Sequence, residues 1–268
     1  MLDFAPVDRR PINGWFSVSV WAFLTLAALV SSSNATAAAS GTSGAMVRFG
    51  VFENAVLPLA EFRDGRPVRG IVVDMSHALA KEAGATGVIV PLPRLRLEPA
   101  LQRGDVDAIC FLTPGWVRND PDSFGWTPAL FTIKTLLVSR LDAPTVNVLS
   151  DIPKGETLGT VRGYLYPSLE ATFSSGRLRR DDAPNSERNF QKLKRGRFRH
   201  MLVDDLHLDY FQHLEAAPMP LQAPLNIDET PIQCAFSPGQ RENWPTWRAA
   251  ANRLLKRGEP QRWLESFR

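Results

Sequence analysis

Two charged residues, Arg118 and Asp204, follow predicted strands at positions where ligands bind in α/β proteins. The apolar run at residues 106–112 predicts a strand buried on both faces, and it leads into Thr113 and then Arg118. Residues just past the carboxyl ends of parallel strands line the ligand crevice, and a planar guanidinium matches the fork of a carboxylate. The pattern therefore predicts binding of a small molecule that carries a carboxylate.

Each of these two residues also has a structural interpretation. Taken alone, Arg118 is more simply explained by a surface salt bridge, and the preference for a ligand depends on the surrounding sequence described below. Asp204 begins a predicted helix at residues 204–214, and an aspartate there caps the helix by accepting a backbone hydrogen bond. Both interpretations of Asp204 stay open at the level of sequence.

The sequence contains none of the short motifs GxSxG, HExxH, GxGxxG or the P-loop. No spacing of cysteine and histidine is typical of a zinc site. We expect the four histidines, His77, His200, His207 and His213, to face solvent. We therefore predict no catalytic residue, no metal site and no cofactor.

The composition is that of an ordinary globular protein. The 268 residues are 44% apolar and 22% charged, with a formal net charge of +3, so the chain is neither disordered as a whole nor obviously suited to nucleic acid. Residues 177–199 contain nine lysines or arginines against three acids. We interpret this block as a solvated basic face, and the alternative is a docking surface for an acidic partner or anionic lipid headgroups.

The N-terminal segment has the pattern of a secretory signal peptide. The apolar run at residues 15–30 carries no charge and as a helix would span about 24 Å, short of the roughly 30 Å hydrocarbon core. Ala35 and Ala37 follow as an A-x-A cleavage site. We expect a signal peptide at residues 1–37 and a periplasmic mature protein, the alternative being an uncleaved membrane anchor.

The remaining chain alternates strands and helices. Strands are predicted at residues 47–51, 88–92 and 106–112, with helices at residues 75–83 and 97–102 between them. This order predicts a parallel sheet with helices on its faces. A strand at residues 131–139 leads to a second unit, with strands at 157–161, 198–203 and 232–236 and helices at 167–173, 187–194, 204–214, 244–256 and 259–267.

Around Arg118 the sequence resembles the type II periplasmic solute-binding proteins, in particular the family that serves polar amino-acid ABC transporters. The family pattern is G-x-x-D-A, then T-x-x-x-x-R, then an aromatic residue and P-Y. This chain matches it with GDVDA at residues 104–108, Thr113, Arg118, Phe124, Pro128 and Phe131. Further resemblances follow the family order at residues 70–74, 93–96, 159–164 and 193–204, so the likeness covers residues 46–268.

The resemblance implies an α/β fold of the two-lobed type II class, with a mainly parallel sheet and flanking helices in each lobe and a two-strand hinge. Residues 46–132 would form the first part of lobe 1, and residues 133–236 would form lobe 2. The C-terminal helices at residues 237–268 would return to lobe 1.

The resemblance also implies roles for single residues. Arg118 would bind the α-carboxylate of the ligand, Thr113 would contact the ligand beside it, and Asp204 would hold an ammonium group. Arg94 stands where some bacterial members have a tryptophan. Tyr164 opens the segment that replaces the family's small Ser/Thr pair.

The segment after the first strand departs from the family. Residues 55–58 contain no aromatic ring to stack on the ligand, and Glu53 could reach the crevice instead, the alternative being a solvated loop acid. Together with Arg94 and the tyrosines, this departure suggests a ligand more anionic or more aromatic than a simple amino acid.

The implied function is capture of a small carboxylate-bearing solute, an amino acid or a related organic acid, and its delivery by a monomer to a membrane ABC permease. Two alternatives remain open. Cyclohexadienyl dehydratases share the fold and need a cleft acid, for which Glu170, Asp204 and Asp205 are candidates. A sensory module would bind the ligand without transport. We predict no nucleic-acid partner.

The two cysteines, Cys110 and Cys234, are predicted to be unpaired. Cys110 falls in a lobe 1 strand, and we place the strand at residues 232–236 in lobe 2. A bridge between lobes would lock the hinge that binding requires.

Overall fold

The computed structural model describes residues 45–267, so the predicted signal peptide lies outside the described residues. The strands are β1 (Met46–Phe52), β2 (Glu61–Arg63), β3 (Arg66–Arg69), β4 (Thr86–Leu92), β5 (Ala108–Leu112), β6 (Gly125–Trp126), β7 (Phe131–Ser139), β8 (Thr157–Val161), β9 (Arg179–Ala183), β10 (His200–Asp204) and β11 (Leu225–Phe236). The α-helices are α1 (Ile71–Glu82), α2 (Arg94–Arg103), α3 (Glu170–Ser174), α4 (Ser186–Lys194), α5 (Asp205–Leu214), α6 (Trp244–Lys256) and α7 (Glu259–Glu265). Within this range no helix is both long and apolar enough to span a bilayer.

The first lobe is built on the predicted parallel arrangement. Strand β1 pairs in parallel with β4 on one side and with β5 on the other, so the expected parallel sheet is confirmed. Helices α1 and α2 connect these strands, and α6 and α7 pack on α1. Trp247 of α6 stacks on Phe236 with ring centroids 4.9 Å apart and meets Phe49 edge-on, which ties the C-terminal helices into this core.

The second lobe has its own parallel strands and its own core. Strand β8 pairs in parallel with β9 and β10, and β10 pairs antiparallel with β7. Phe190 of α4 stacks on Phe211 of α5 at 5.4 Å and anchors the helices on one face. The chain therefore has the expected two-lobed α/β fold.

Two long strands connect the lobes. Strands β7 and β11 pair antiparallel from Leu225 opposite Leu137 to Ile232 opposite Phe131. Strand β7 continues against β10 of lobe 2, whereas residues 233–236 of β11 continue against β5 of lobe 1. This pair is the two-strand hinge of the molecule.

The course of β11 overturns the prediction for the cysteines. Cys234 lies opposite Cys110 in the β5–β11 pair, and the two form a disulfide with a Cα–Cα distance of 4.0 Å. The prediction of unpaired thiols was wrong because it placed Cys234 in lobe 2. The bridge lies within the sheet of lobe 1, so it does not join the two lobes.

The prediction that all four histidines face solvent was also wrong. His200 is buried in β10, where its Nδ1 lies 2.8 Å from the hydroxyl of Ser139, and His207 is buried in the first turns of α5. His77 and His213 are exposed, as expected. A buried histidine needs a polar partner, and both partners come from tertiary structure or from a helix cap.

Candidate functional site

A cavity of about 100 Å³ lies between the two lobes. Its walls are mostly apolar, and its polar side chains come from both lobes. Lobe 1 contributes the ends of β1 and β5, the first turns of α2, and Trp116. The hinge strand β7 contributes Ile133 and Thr135, and lobe 2 contributes the turn after β8 and the end of β10. The cavity therefore lies at the carboxyl ends of parallel strands, where α/β sheets bind ligands.

Arg94 is placed in this wall by the junction of β4 and α2. Pro93 separates strand from helix with an extended backbone, and α2 begins at Arg94. Gly104 ends the helix in the left-handed conformation. The short helix therefore presents its first side chain at the carboxyl end of β4 and beside the cavity.

An aromatic group lines the lobe 1 side. Phe52 is the last residue of β1, and Trp116 lies in the loop after β5. Phe111 packs against Trp116, with ring centroids 6.3 Å apart. Its φ of 62° is unusual for a bulky residue, and the β5–β11 register shifts at this point, so a β-bulge aims the ring at the cavity.

The lobe 2 side is formed by the turn after β8. Gly163 adopts a φ of 79°, which the turn requires, and Tyr164 follows it into the cavity wall. Tyr164 meets Phe52 of lobe 1 edge-on, with centroids 6.3 Å apart. Burial raises the pKa of Tyr164 to about 12, so its phenol stays protonated and can donate a hydrogen bond.

Asp204 has both roles that the sequence allowed. It caps α5, because its carboxylate accepts the backbone N–H of His207 at 2.9 Å, and it also lines the cavity. Its second oxygen lies 2.6 Å from Nδ1 of His207. Burial acts to raise the pKa of Asp204, but His207 outweighs burial, so the pKa lies below its ordinary value. The carboxylate of Asp204 is therefore ionised at neutral pH and is hydrogen-bonded to His207.

Arg94 supplies a positive charge to the same cavity. The charge of Arg94 acts to lower the pKa of the Tyr164 phenol, whereas the charge of Asp204 acts to raise it. Tyr164 therefore lies near both groups. Burial lowers the pKa of Arg94, and the charge of Arg118 acts in the same direction. A guanidinium remains protonated even so, because its ordinary pKa lies far above neutral pH.

The predicted residues divide into two sets. Arg94, Tyr164 and Asp204 line the cavity together, whereas Arg118, Thr113 and Glu53 do not. The side chain of Arg118 is exposed, and Thr113 is buried just before the loop that contains Trp116. Glu53 lies on a separate surface groove of about 570 Å³ between the two lobes. The binding roles of these three residues stay predictions.

Glu98 is a site residue that the sequence reasoning missed. It is buried in α2, lines the cavity, and accepts hydrogen bonds from the backbone N–H groups of Arg118 and Asn119 at 2.8–3.1 Å. It therefore fixes the loop after β5. An acid four residues after Arg94 on one helical face was the available signal.

The aromatic residues Phe52, Phe111 and Trp116 were missed as well. Phe52 ends the first strand, three residues before the stretch where a stacking ring was sought. Phe111 and Trp116 reach the cavity through a bulge and a loop, neither of which a periodic pattern reveals.

The arrangement suits binding of a zwitterion better than acid–base catalysis. Of the three acids considered for catalysis, Asp204 alone lines the cavity. Glu170 accepts the backbone N–H of Tyr166, and Asp205 accepts that of Lys134. Among residues 45–267, no group of three or more His, Cys, Asp or Glu side chains could hold a metal ion.

No protein-family model and no curated protein sequence matches this chain. Solved structures do match it. An ancestral amino acid-binding protein, described as a precursor of cyclohexadienyl dehydratase, is 20% identical with a TM-score of 0.67, over 83% of this chain and 95% of that one. An ancestral arginine-binding protein bound to arginine is 20% identical with a TM-score of 0.67, over 84% and 99%.

An amino acid ABC transporter substrate-binding protein from Streptococcus pneumoniae, bound to L-arginine, is 16% identical with a TM-score of 0.67, over 82% of this chain and 93% of that one. At these identities the likeness is one of fold. It agrees with the two lobes and the hinge described above.

Proposed function

We propose that this chain is a periplasmic solute-binding protein that captures a small amino acid or related carboxylate between its lobes and delivers it to an ABC permease. One observation carries the proposal. A largely apolar cavity between two hinged lobes contains Arg94 from lobe 1 and an ionised Asp204 from lobe 2. Such a pair matches the two charges of an amino acid.

The structural neighbours support this function. The three proteins compared above bind amino acids, and one of them belongs to an ABC transporter. The cavity of this chain lies between the two lobes. A ligand that binds the closed form better than the open form would bring the lobes together. The two-strand hinge of β7 and β11 allows that motion.

The electrostatics of Asp204 favour binding over catalysis. A dehydratase needs a protonated cleft acid to assist the loss of a hydroxyl group. His207 keeps the pKa of Asp204 below its ordinary value, so this carboxylate is ionised and suited to hold an ammonium group. We therefore propose a binder, with turnover of prephenate as the test of the alternative.

A thermal-shift screen tests the proposal. We expect one or more amino acids or organic acids to raise the Tm, because a ligand at 100 times its Kd stabilises the folded state by about 2.7 kcal/mol. Prephenate should be left unchanged over hours. A protein that turns over prephenate, or that responds to no compound in the screen, would overturn the proposal.

Transport and sensing are separated by a second measurement. The liganded protein should raise the ATPase rate of a permease encoded beside it when that permease is reconstituted in liposomes. Stimulation of a neighbouring histidine kinase instead would identify a sensory module.

The signal peptide is tested separately. N-terminal sequencing of the exported protein should give a sequence that begins near residue 38, and a chain that begins at Met1 would contradict the signal peptide.

A further inference from the structure

We propose that Arg94, and not Arg118, binds the ligand carboxylate, and that the ligand is an apolar or aromatic amino acid. This inference rests on the function proposed above and specifies its chemistry. It follows from the surroundings of the two arginines and from the charges that the cavity leaves free.

The first observation is that Arg94 lies between the lobes. It begins α2 in lobe 1, and its aliphatic stem packs against the turn after β8 in lobe 2. A Cβ atom on Gly163 would stand 3.1 Å from Cγ of Arg94, so the stem lies close against this turn. Arg94 also lines the cavity between the lobes, which is the space that a ligand would occupy.

The second observation is that the guanidinium of Arg94, a residue of intermediate exposure in the cavity wall, lacks a partner. Within residues 45–267 it forms neither a hydrogen bond nor an ion pair. A guanidinium that lies between two lobes loses part of its hydration, and a bound anion would offset that loss. A ligand carboxylate in the cavity would supply the missing anion through two parallel hydrogen bonds.

The acid on the same helix is engaged with a loop. Glu98 lies four residues after Arg94 on α2, and its oxygens accept the backbone N–H groups of Arg118 and Asn119. The charge of Glu98 favours the protonated guanidinium of Arg94, but Glu98 forms no hydrogen bond with it. The hydrogen-bond donors of Arg94 therefore remain for an external carboxylate.

The third observation concerns Arg118. Its side chain is exposed and lies outside the cavity, yet its charge is close enough to lower the pKa of Arg94. Two neighbouring cations favour the binding of an anion between or beside them. Of the two arginines, Arg94 is the one that lies in the cavity wall. Arg118 would then add long-range attraction instead of the direct contact.

The cavity walls define the rest of the ligand. Among the described lining residues, the acids are Glu98 and Asp204. Glu98 accepts three backbone hydrogen bonds from the loop after β5, whereas Asp204 accepts two from His207 and keeps acceptor sites for an ammonium group. The described walls offer no second carboxylate with the same capacity for a cationic side chain, whereas Phe52, Trp116 and Tyr164 offer aromatic surface. An apolar or aromatic side chain fits these walls best.

The test compares the wild type with Arg94→Met, Arg118→Ala and Arg96→Ala in calorimetric titrations. Arg96 is the matched control, because it is an exposed arginine on the same helix outside the cavity. The probes are phenylalanine, leucine, arginine, glutamate and phenylalanine amide, which lacks the carboxylate.

We expect the wild type to prefer phenylalanine or leucine and to bind phenylalanine amide much more weakly. Arg94→Met should weaken phenylalanine binding by at least about 30-fold and should remove the preference over the amide. Arg118→Ala should change affinity much less, and Arg96→Ala should not change it.

The unliganded Tm excludes a merely structural role for Arg94. Removal of an unpaired charge that is partly desolvated should leave the Tm unchanged or raise it, so lost binding with an undiminished Tm supports the proposal. Arg94→Met that binds phenylalanine like the wild type, or loss of binding in Arg118→Ala alone, would overturn it. A preference for arginine or glutamate would overturn the ligand class, and so would a wild type that binds none of these probes but responds to another compound in the thermal-shift screen. The proposed function itself fails only if no compound in that screen raises the Tm.

Discussion

At the scale of single residues, the same acid can serve a helix and a ligand. Asp204 caps α5 and also lines the cavity, because the N-terminus of α5 follows directly after the carboxyl end of β10. A helix that begins directly after a strand is stabilised by a capping side chain at that position, and aspartate is one of the preferred caps. The cap therefore positions a charge where a ligand ammonium would lie.

Asp204→Asn should weaken binding of amino acids by about 10- to 150-fold, the value of one charge-assisted hydrogen bond. Asparagine caps a helix as well as aspartate does, so the fold should persist. Calorimetry should show no loss for ligands that lack an ammonium group. The control is Asp205→Asn, whose carboxylate binds the backbone of Lys134 outside the cavity, and equal losses in both variants would contradict the role of Asp204.

Asp107 belongs to the GDVDA segment at residues 104–108, and its role is structural, unlike that of Asp204. Its largely buried carboxylate accepts the backbone N–H, Nε and Nη2 of Arg48, at 2.8–3.0 Å, and the amide of Gln240. Burial acts to raise the pKa of Asp107, but the hydrogen bonds from Arg48 outweigh it and lower the pKa below its ordinary value. The residue thus links β5 to β1 and to the segment after β11.

Asp107→Asn should lower the free energy of unfolding at pH 7 by about 1.5–3 kcal/mol. Because the folded pKa lies below the unfolded value of about 3.9, the stabilisation is complete above that value and is lost as pH falls through the folded pKa. Urea unfolding from pH 7 to pH 2 should show the wild type and the variant converging. Asp105→Asn, an exposed partner of Arg103, should cost about 0–1 kcal/mol, and a pH-independent gap for Asp107→Asn would contradict the linkage.

At the scale of elements, the bounds of many helices and strands follow from local patterns. The strands at residues 131–139 and 157–161 and the helix at residues 244–256 were predicted with the bounds that the structure has. Each has a clear apolar period or a clear end signal. The hairpin of β2 and β3 and the strand β9 were missed, because their residues are largely charged and show no alternating pattern.

Gly163 tests how closely two elements approach across the cavity. Gly163→Ala places a Cβ against Arg94 and Leu95 at 3.1 Å and strains a residue with φ of 79°, so it should weaken ligand binding and lower stability by about 1–2 kcal/mol. The control is Gly176→Ala, which has a φ of 68° and nothing within 4 Å of the added Cβ.

Calorimetry and urea unfolding should separate the two glycines. Gly176→Ala should lose a similar amount of stability and keep the affinity of the wild type. Equal affinity in both variants would show that the turn after β8 does not press on the binding site.

At the scale of the whole molecule, lobe 2 is an insertion between two paired strands of lobe 1. Strands β5 and β11 lie side by side, and the Cys110–Cys234 bridge joins positions 124 residues apart in sequence. The whole of lobe 2 lies between them in the chain. The bridge therefore closes lobe 1 beneath the hinge and leaves the lobes free to move, which suits the oxidising compartment proposed here.

The double variant Cys110→Ala, Cys234→Ala should lose about 2–5 kcal/mol of unfolding free energy, the range expected for a bridge that closes a long loop. Urea unfolding should detect this loss, and reductant should destabilise the wild type but not the variant. Intact-mass measurement after alkylation without reductant should show no labelled cysteine in the denatured wild type. Two labelled thiols would contradict the bridge.

The sequence by itself determined the alternation of strands and helices, the two-lobed fold class, and three residues of the cavity wall. Arg94, Tyr164 and Asp204 were found because each stands at a ligand-lining position of the family that the sequence resembles, and in the structure each follows directly after a strand or its turn. The same reasoning placed Arg118 beside them, but Arg118 does not line the cavity. Its position depends on how the loop after β5 folds back, and not on where the strand ends.

Tertiary structure alone decided which distant groups meet. The pairing of Cys110 with Cys234 depends on which lobe the last part of β11 joins, and the burial of His200 depends on its neighbour Ser139 in β7. The exposed position of Arg118 depends on Glu98, which binds the loop from another element. Such contacts are set by strand register, bulges and packing over long sequence separations, and no local period in a sequence records them.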